Sequence, residues 1–402
     1  RIYFHSDAAA VNLMADEIFR TGELFPKDWN YPNGDLWAFF GHLFILPLLF
    51  ILDNGFALHA FSAIISASLV ISSVWLLLKE LEITITGRLL FLAIFTSGIS
   101  TFFTEQVFGQ LAYGTILYLL LFQLFFLIRF LKNYSNGNIE ASKISLLAFN
   151  IIIFLIFVSN PGRAIATNIA PIAISLLFVF SKYYYQGDGI TFKLEKKGVL
   201  LILYTSIFSG LAGIIVYLLI LTNANTVYGA ANAVYLDYTN MIHHFLGFFN
   251  GWLNLFGGQP TAGRSVLSAV GIYEAWHLAF ALILLVFPFY LVKIMKHESS
   301  LYLLLMILFT LVNLSIVLFF YIFTSVADMS TPSAVIQSSR YLLVSAFLVF
   351  LLFFIMLDRW IHFSNYRFGY LFFIFLYIPF LSSGYFIYLL PVLGSEVKDK
   401  VS

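Results

Sequence analysis

FALHAFSAIISASLVISSVWLLLKELEITITGR, residues 56–88, opens with a charge-free run (56–78) and ends in a turn carrying Lys79, Glu80, Glu82 and Arg88. As a helix the run is about 35 Å long, enough to cross a hydrocarbon layer of ~30 Å. The same pattern recurs along the chain. Further charge-free runs cover 89–104, 106–128, 144–162, 164–181, 198–222, 275–292, 301–325, 341–357 and 368–390. Each is near the ~20 residues that a spanning helix needs. Of the 21 Lys and Arg residues, 13 lie in loops 79–88, 129–143, 182–197, 293–300 and 358–367. Such a basic excess marks the cytoplasmic side. Segments 1–55, 104–108, 158–163, 223–274, 326–340 and 391–402 are then expected outside. The pattern predicts an all-α fold: one polytopic membrane bundle over 1–402, with about 10–11 transmembrane helices plus external juxtamembrane helices.

Composition excludes other classes. Charged residues make up 10% and hydrophobic residues 61%, against ~25% charged in a soluble domain. A net charge of +1 leaves no electrostatic footprint for nucleic acid. Without cysteine there are no disulfides and no thiolate metal sites.

Residues 36–52, LWAFFGHLFILPLLFIL, are apolar and about 26 Å long if helical. Counting them as a crossing would place 1–35 on the basic side. Those residues hold six acids, three bases, Trp29 and Tyr31, a composition that suits an external interface. We therefore expect 36–52 to be an interfacial or re-entrant helix, with an ordinary short span as the alternative. Before it, Ser6 or Asp7 can cap a helix over 7–20. Val11, Met14 and Ile18 recur on one side, and Gly22 offers a stop. This reads as an amphipathic helix at the membrane surface. The long loop 223–274 is nearly uncharged, with Asp237, Arg264 and Glu274 its only ionic side chains. One or two interfacial helices are expected there. His243 and His244 are adjacent, so on a helix they diverge, and no metal site is expected.

Three features together resemble the GT-C glycosyltransferases, integral membrane enzymes that use polyprenyl-phosphate sugar donors. They are an external segment opening with an acid (His5–Ser6–Asp7), a helix ending in the charged turn LLLKELEITITGR (76–88), and the external turn TEQVFGQ (104–110). The resemblance covers roughly residues 1–180. It implies a transmembrane helix ahead of Arg1 and a sugar-transfer site on the outer face of a membrane, here a bacterial plasma membrane. It also implies a polyprenyl-phosphate-linked donor and a glycan, lipid or protein acceptor, with no cofactor required and a divalent metal the exception.

Family members use an acid of the first external loop as catalytic base, by position Asp7. Transfer to an alcohol needs a carboxylate to take the hydroxyl proton, and a helix N-terminus keeps an acid ionised. The bland alternative is that Asp7 only caps its helix. Asp35, close to Trp37, is a candidate for sugar hydroxyls. Glu105 either orients the acceptor or sits at a wet helix end, with Gln106 and Tyr113 as neutral hydrogen-bonding groups beside it. Arg163, Arg264 and Arg340 lie at membrane boundaries in uncharged contexts (SNPGRAIATN, QPTAGRSVLS, IQSSRYLLVS). The resemblance implies that they hold the donor phosphate, with Tyr341 next to the last. A guanidinium grips phosphate in a bidentate fork; the alternative is snorkelling to lipid headgroups. The rival function is a secondary transporter or lipid flippase. Those place ionisable groups near the bilayer midplane, whereas the acids here cluster outside the apolar runs. A membrane acyltransferase would need a histidine deep in a span, and none is present.

Overall fold

The computed structural model describes residues 6–186, 191–227 and 233–364. Helix α1 (Ser6–Thr21) leads to strand β1 (Asn30–Pro32), the one-turn helix α2 (His42–Ile45) and a 3-10 turn over Leu46–Phe50. The long elements follow: α3 (Phe56–Glu80), α4 (Ile85–Ser97), the short α5 (Thr101–Thr104), α6 (Ala112–Ser135) and α7 (Ile139–Ser159). Next come the one-turn α8 (Pro161–Ala164), α9 (Ala170–Gln186) and α10 (Thr191–Leu221). Strand β2 (Asn225–Val227) precedes α11 (Tyr238–Leu255), α12 (Ala269–Met295), α13 (Leu301–Phe323), α14 (Pro332–Ser338) and α15 (Leu343–Ser364). The protein is an all-α polytopic membrane bundle. Among the described residues, eight helical stretches are long and apolar enough to cross a membrane, or nine if one bent pair is a single span. The predicted run 368–390 lies outside the described residues.

Helix starts are set by short polar side chains that accept a hydrogen bond from an otherwise unpaired backbone N–H. Thr84, Ser100, Asn138, Asn160, Asp237, Ser268, Ser300 and Thr331 all do so. Helices α6, α13 and α15 are the most enclosed, whereas α10 and α12 present most of their surface outward. That outer surface carries Phe208, Ile215, Leu219 and Phe289, all exposed, as a lipid-facing wall requires. Close helix contact depends on small residues. A Cβ on Gly213 of α10 would lie 2.6 Å from the Phe157 Cβ of α7.

Described residues of all five basic loops come together at one end. Lys132 bridges to Glu82 at 2.8 Å, and Thr84 Oγ1 donates to Asp358 at 2.7 Å. Lys182 Nζ donates to the Met295 and Glu298 carbonyls, and Arg359 pairs with Glu298 at 3.0 Å. The opposite end is tied by strands: β1 and β2 pair in parallel, Tyr31 opposite Thr226. The chain ahead of α3 and the loop ahead of α12 therefore meet at the same end.

Three expectations are corrected. The run 89–104 is not one straight span: α4 stops at Gly98 (φ +93) and the chain turns by 98° into Thr101–Gly109. Gly98 alone tolerates that backbone without strain, and Ser100 caps the new direction. The turn expected at 104–108 is helical, with a π segment over Glu105–Gly109 ending before Leu111 (φ +68). Finally, the apolar stripe of α1 is buried in the protein rather than laid on a membrane surface. Val11 packs with Phe40, Leu58 and Leu111, while Met14 and Ile18 pack with Tyr31 and Leu36. Residues 36–52 contain only the one-turn α2 and the five-residue 3-10 turn, neither of crossing length.

Single cysteines in this cysteine-free chain test the ends. Cysteines at Asn30, Asn54 and Asn223 should react with an impermeant thiol reagent from one side, and those at Asn136 and Lys296 from the other. Opposite labelling of positions 30 and 54 would make 36–52 a crossing. Packing is testable at Gly114, where a Cβ would lie 2.2 Å from the Val107 carbonyl oxygen. Gly114→Ala should lower stability by about 1–3 kcal/mol, typical of overpacking, read as a lower Tm in detergent. Gly55→Ala, with nothing within 4 Å of its Cβ, should not.

Candidate functional site

At the end opposite the basic loops, three helical stretches depart from regular α geometry, and the departures lie around one cavity. After α7 the chain leaves helical geometry at Asn160 (φ −162) and restarts at Pro161, then runs through a π segment over Ile165–Ile169. The π segment Glu105–Gly109 precedes α6, and a 3-10 turn over Ser339–Leu342 joins α14 to α15. Such departures recur at functional sites because they re-aim side chains. Here they surround a cavity of about 350 Å³.

Its polar lining includes Asn33, Asp35, Gln110, Tyr113, Ser159, Asn160, Arg163, Asn168, Arg340 and Tyr341; its apolar wall includes Phe39, Phe40, Ile116, Leu119 and Ile156. Tyr113 to Leu119 covers about 9 Å of α6, so the cavity runs from a charged mouth along a greasy wall. Two guanidiniums and one carboxylate line it among the described residues, a net charge of +1.

Asp35 organises the mouth. Its Oδ2 accepts from Arg163 Nη2 at 2.9 Å, and its other oxygen accepts from the Asn160 side-chain amide. The Asn160 oxygen in turn accepts from the Arg163 backbone N–H at 2.9 Å, capping α8. Asp35 is buried and the Arg163 side chain is 42% exposed, so the guanidinium keeps a free face toward the cavity. Two left-handed residues, Asn33 (φ +59) and Gly34 (φ +69), turn the chain from β1 back to Asp35. Leu36 and Ala38 then donate to the carbonyl and hydroxyl of Ser159. Trp37, itself left-handed (φ +51), stacks on Phe40 with ring centroids 5.0 Å apart. A bulky residue in that region stores strain and is common at binding sites. Arg340 lies with its guanidinium carbon 5.6 Å from the Tyr341 ring centroid.

Of the residues singled out in the sequence, Asp35, Trp37, Tyr113, Arg163, Arg340 and Tyr341 meet in this cavity. Others fall elsewhere. Arg264 pairs with Glu274 at 2.8 Å and is not among the lining residues. Glu105 is not among the lining residues, but Gln110, which is, donates to it at 3.3 Å. Gln106 is fully buried and does not line the cavity. Asp7 lies in the first turn of α1, one turn before the lining residue Ala10, but its side chain lies outside the described residues. His244 is buried against the Tyr321 carbonyl while His243 is exposed, so the pair diverges. Sequence reading missed Asn160 and Ser159. The Asn–Pro step was the available signal, since Asn caps helices and Pro favours their first turn.

The chain matches no known family, no curated protein and no solved structure. The site therefore has to be read from its own geometry.

Two measurements check that geometry. A double-mutant cycle on Asp35→Ala and Arg163→Ala should return a coupling energy of about 1–3 kcal/mol in thermal or denaturant stability. A coupling near zero would mean that the pair is incidental. The second concerns His42, buried beside Phe40, where burial pushes the imidazole down to about 4. Its folded-state value lies below the ordinary 6.5, so the unfolded chain binds its proton first. Stability from this group is full above pH 6.5 and is lost as pH falls toward 4. Tm in detergent should drop across that window, and His42→Gln should flatten the drop.

Proposed function

We propose that the cavity is the active site of an integral membrane glycosyltransferase of GT-C type. Its donor is a sugar carried on a polyprenyl phosphate, and its acceptor is a glycan, lipid or protein hydroxyl. The observation that carries this reading is the convergence of Arg163 and Arg340, 177 positions apart (340 − 163), on a cavity with a cationic mouth and an apolar wall. That polarity suits an amphiphile with an anionic headgroup. The guanidiniums hold the phosphate, while Trp37, Tyr113 and Tyr341 offer ring faces and hydroxyls to the sugar.

In the proposed reaction the acceptor hydroxyl oxygen attacks the anomeric carbon. The bond from that carbon to the phosphate oxygen breaks, and polyprenyl phosphate leaves with the bonding electrons. Direct attack inverts the configuration. The hydroxyl proton passes to a carboxylate, for which Asp7 is the candidate base. Asp35 has a different part: held by Arg163 and Asn160, it fixes the guanidinium that meets the phosphate. The end carrying the site lies opposite the basic loops, which supports an outward orientation across a bacterial plasma membrane. Against a transporter or flippase stands the absence of acids from the apolar runs, whose midplane positions such proteins use.

Asp7→Asn should lower turnover by at least ~100-fold with folding retained. Asp35→Asn should act chiefly on the donor KM. Arg163→Lys and Arg340→Lys keep charge but lose the fork, and should weaken donor use roughly 10- to 150-fold while leaving acceptor affinity unchanged. Lys197→Gln, at the basic end, should change neither. Equal losses from all the substitutions would mean that the arginines only anchor the bundle.

A further inference from the structure

Asn313 sits within α13 with no exposed surface. A carboxamide buried in a membrane span is costly unless both its ends are hydrogen-bonded. Both are. Its Nδ2 donates to the Thr167 carbonyl at 2.8 Å, and its Oδ1 accepts from the Ser345 hydroxyl at 2.6 Å.

The Thr167 carbonyl needs that donor for a reason written in the sequence. In an α-helix it would accept from the backbone N–H four residues on, but position 171 is proline and has none. The chain responds with the π segment Ile165–Ile169, and a neighbouring helix supplies the missing bond. Thr167 also donates its own hydroxyl to the Arg163 carbonyl at 2.9 Å. It lines the cavity four residues after Arg163. Ser345, also without exposed surface, lies five residues after Arg340 at the start of α15. One amide thus bridges the two irregular helical stretches that carry the arginines.

We infer that Asn313 is a positioning residue that holds the Arg163-bearing and Arg340-bearing stretches in register, so that both guanidiniums meet one phosphate. The role in phosphate binding rests on the function proposed above; the mechanical role does not. Among the described residues lining the cavity, none belongs to α13, so Asn313 acts through its partners and not by touching substrate.

The test uses the full chain in detergent, with spin labels on cysteines introduced at the exposed Ile165 and Ile336. Pulsed dipolar spectroscopy should give a narrow separation in the parent. In Asn313→Leu, of similar size but unable to make either bond, the separation should broaden or shift beyond its original width. Ser345→Ala, which removes one hydroxyl, should give a smaller change in the same sense and serves if Asn313→Leu does not fold. In parallel, binding of dodecyl phosphate, followed by tryptophan fluorescence, should weaken about 10-fold in Asn313→Leu. Binding of the neutral dodecanol should not change. Unaltered separations in folded Asn313→Leu or, where that fails to fold, in Ser345→Ala would overturn the inference. So would an equal loss for both amphiphiles, which marks a general packing defect. If the parent prefers dodecyl phosphate no more than dodecanol, the phosphate reading fails instead, and the separations still decide the role of Asn313.

Discussion

A backbone that leaves α-helical geometry inside a bilayer must find hydrogen-bond partners within the protein, because no water is there to supply them. That constraint governs the end of the bundle where the cavity lies. At the α7–α8 break, Asn160 caps the restarted helix and also holds Asp35. At the π segment before α9, Asn313 donates to the Thr167 carbonyl, whose α-helical donor position is occupied by Pro171. At the 3-10 turn before α15, Ser339 donates to Ile336 and accepts from Asn254. In each case a polar side chain makes the irregularity tolerable, and Arg163 or Arg340 lies in it or beside it. The bends and the site have one physical origin.

The chain between β1 and α2 completes the site beside the long helices. Residues 33–38 form neither a strand nor a helix, yet they are held at several points. Their turn is set by left-handed Asn33 and Gly34, and their backbone donates to Ser159. The Asp35–Arg163 pair closes the arrangement across 128 residues of chain. An ion pair of this kind, with a buried carboxylate and a half-exposed guanidinium, contributes geometry more surely than stability. Removing one partner costs more than the pair gains. The β1–β2 ribbon does comparable work farther out, keeping the long loop against the first segment.

Much of the architecture is legible in local sequence. Charge-free runs of membrane length and basic loops each act over a few turns of chain, so the existence of most of the apolar helices can be read directly. Boundary arginines in uncharged contexts are equally visible, and two of the three, Arg163 and Arg340, line the cavity. The reading fails where one residue changes direction without changing composition. Gly98 bends an apolar run by 98°, and hydropathy has no term for a bend. The α1 stripe reads the same whether lipid or protein covers it, because both are apolar.

The sequence by itself determined that this protein is a helical membrane bundle and which charged residues flank its apolar runs. These follow from hydrophobicity and charge, both properties of neighbouring residues. Only the tertiary structure decided that Asp35 holds Arg163, that Arg264 belongs to Glu274, and that Asn313 joins the helices of Arg163 and Arg340. Those partnerships depend on which helix faces meet, and packing, not sequence distance, brings such groups within hydrogen-bond reach.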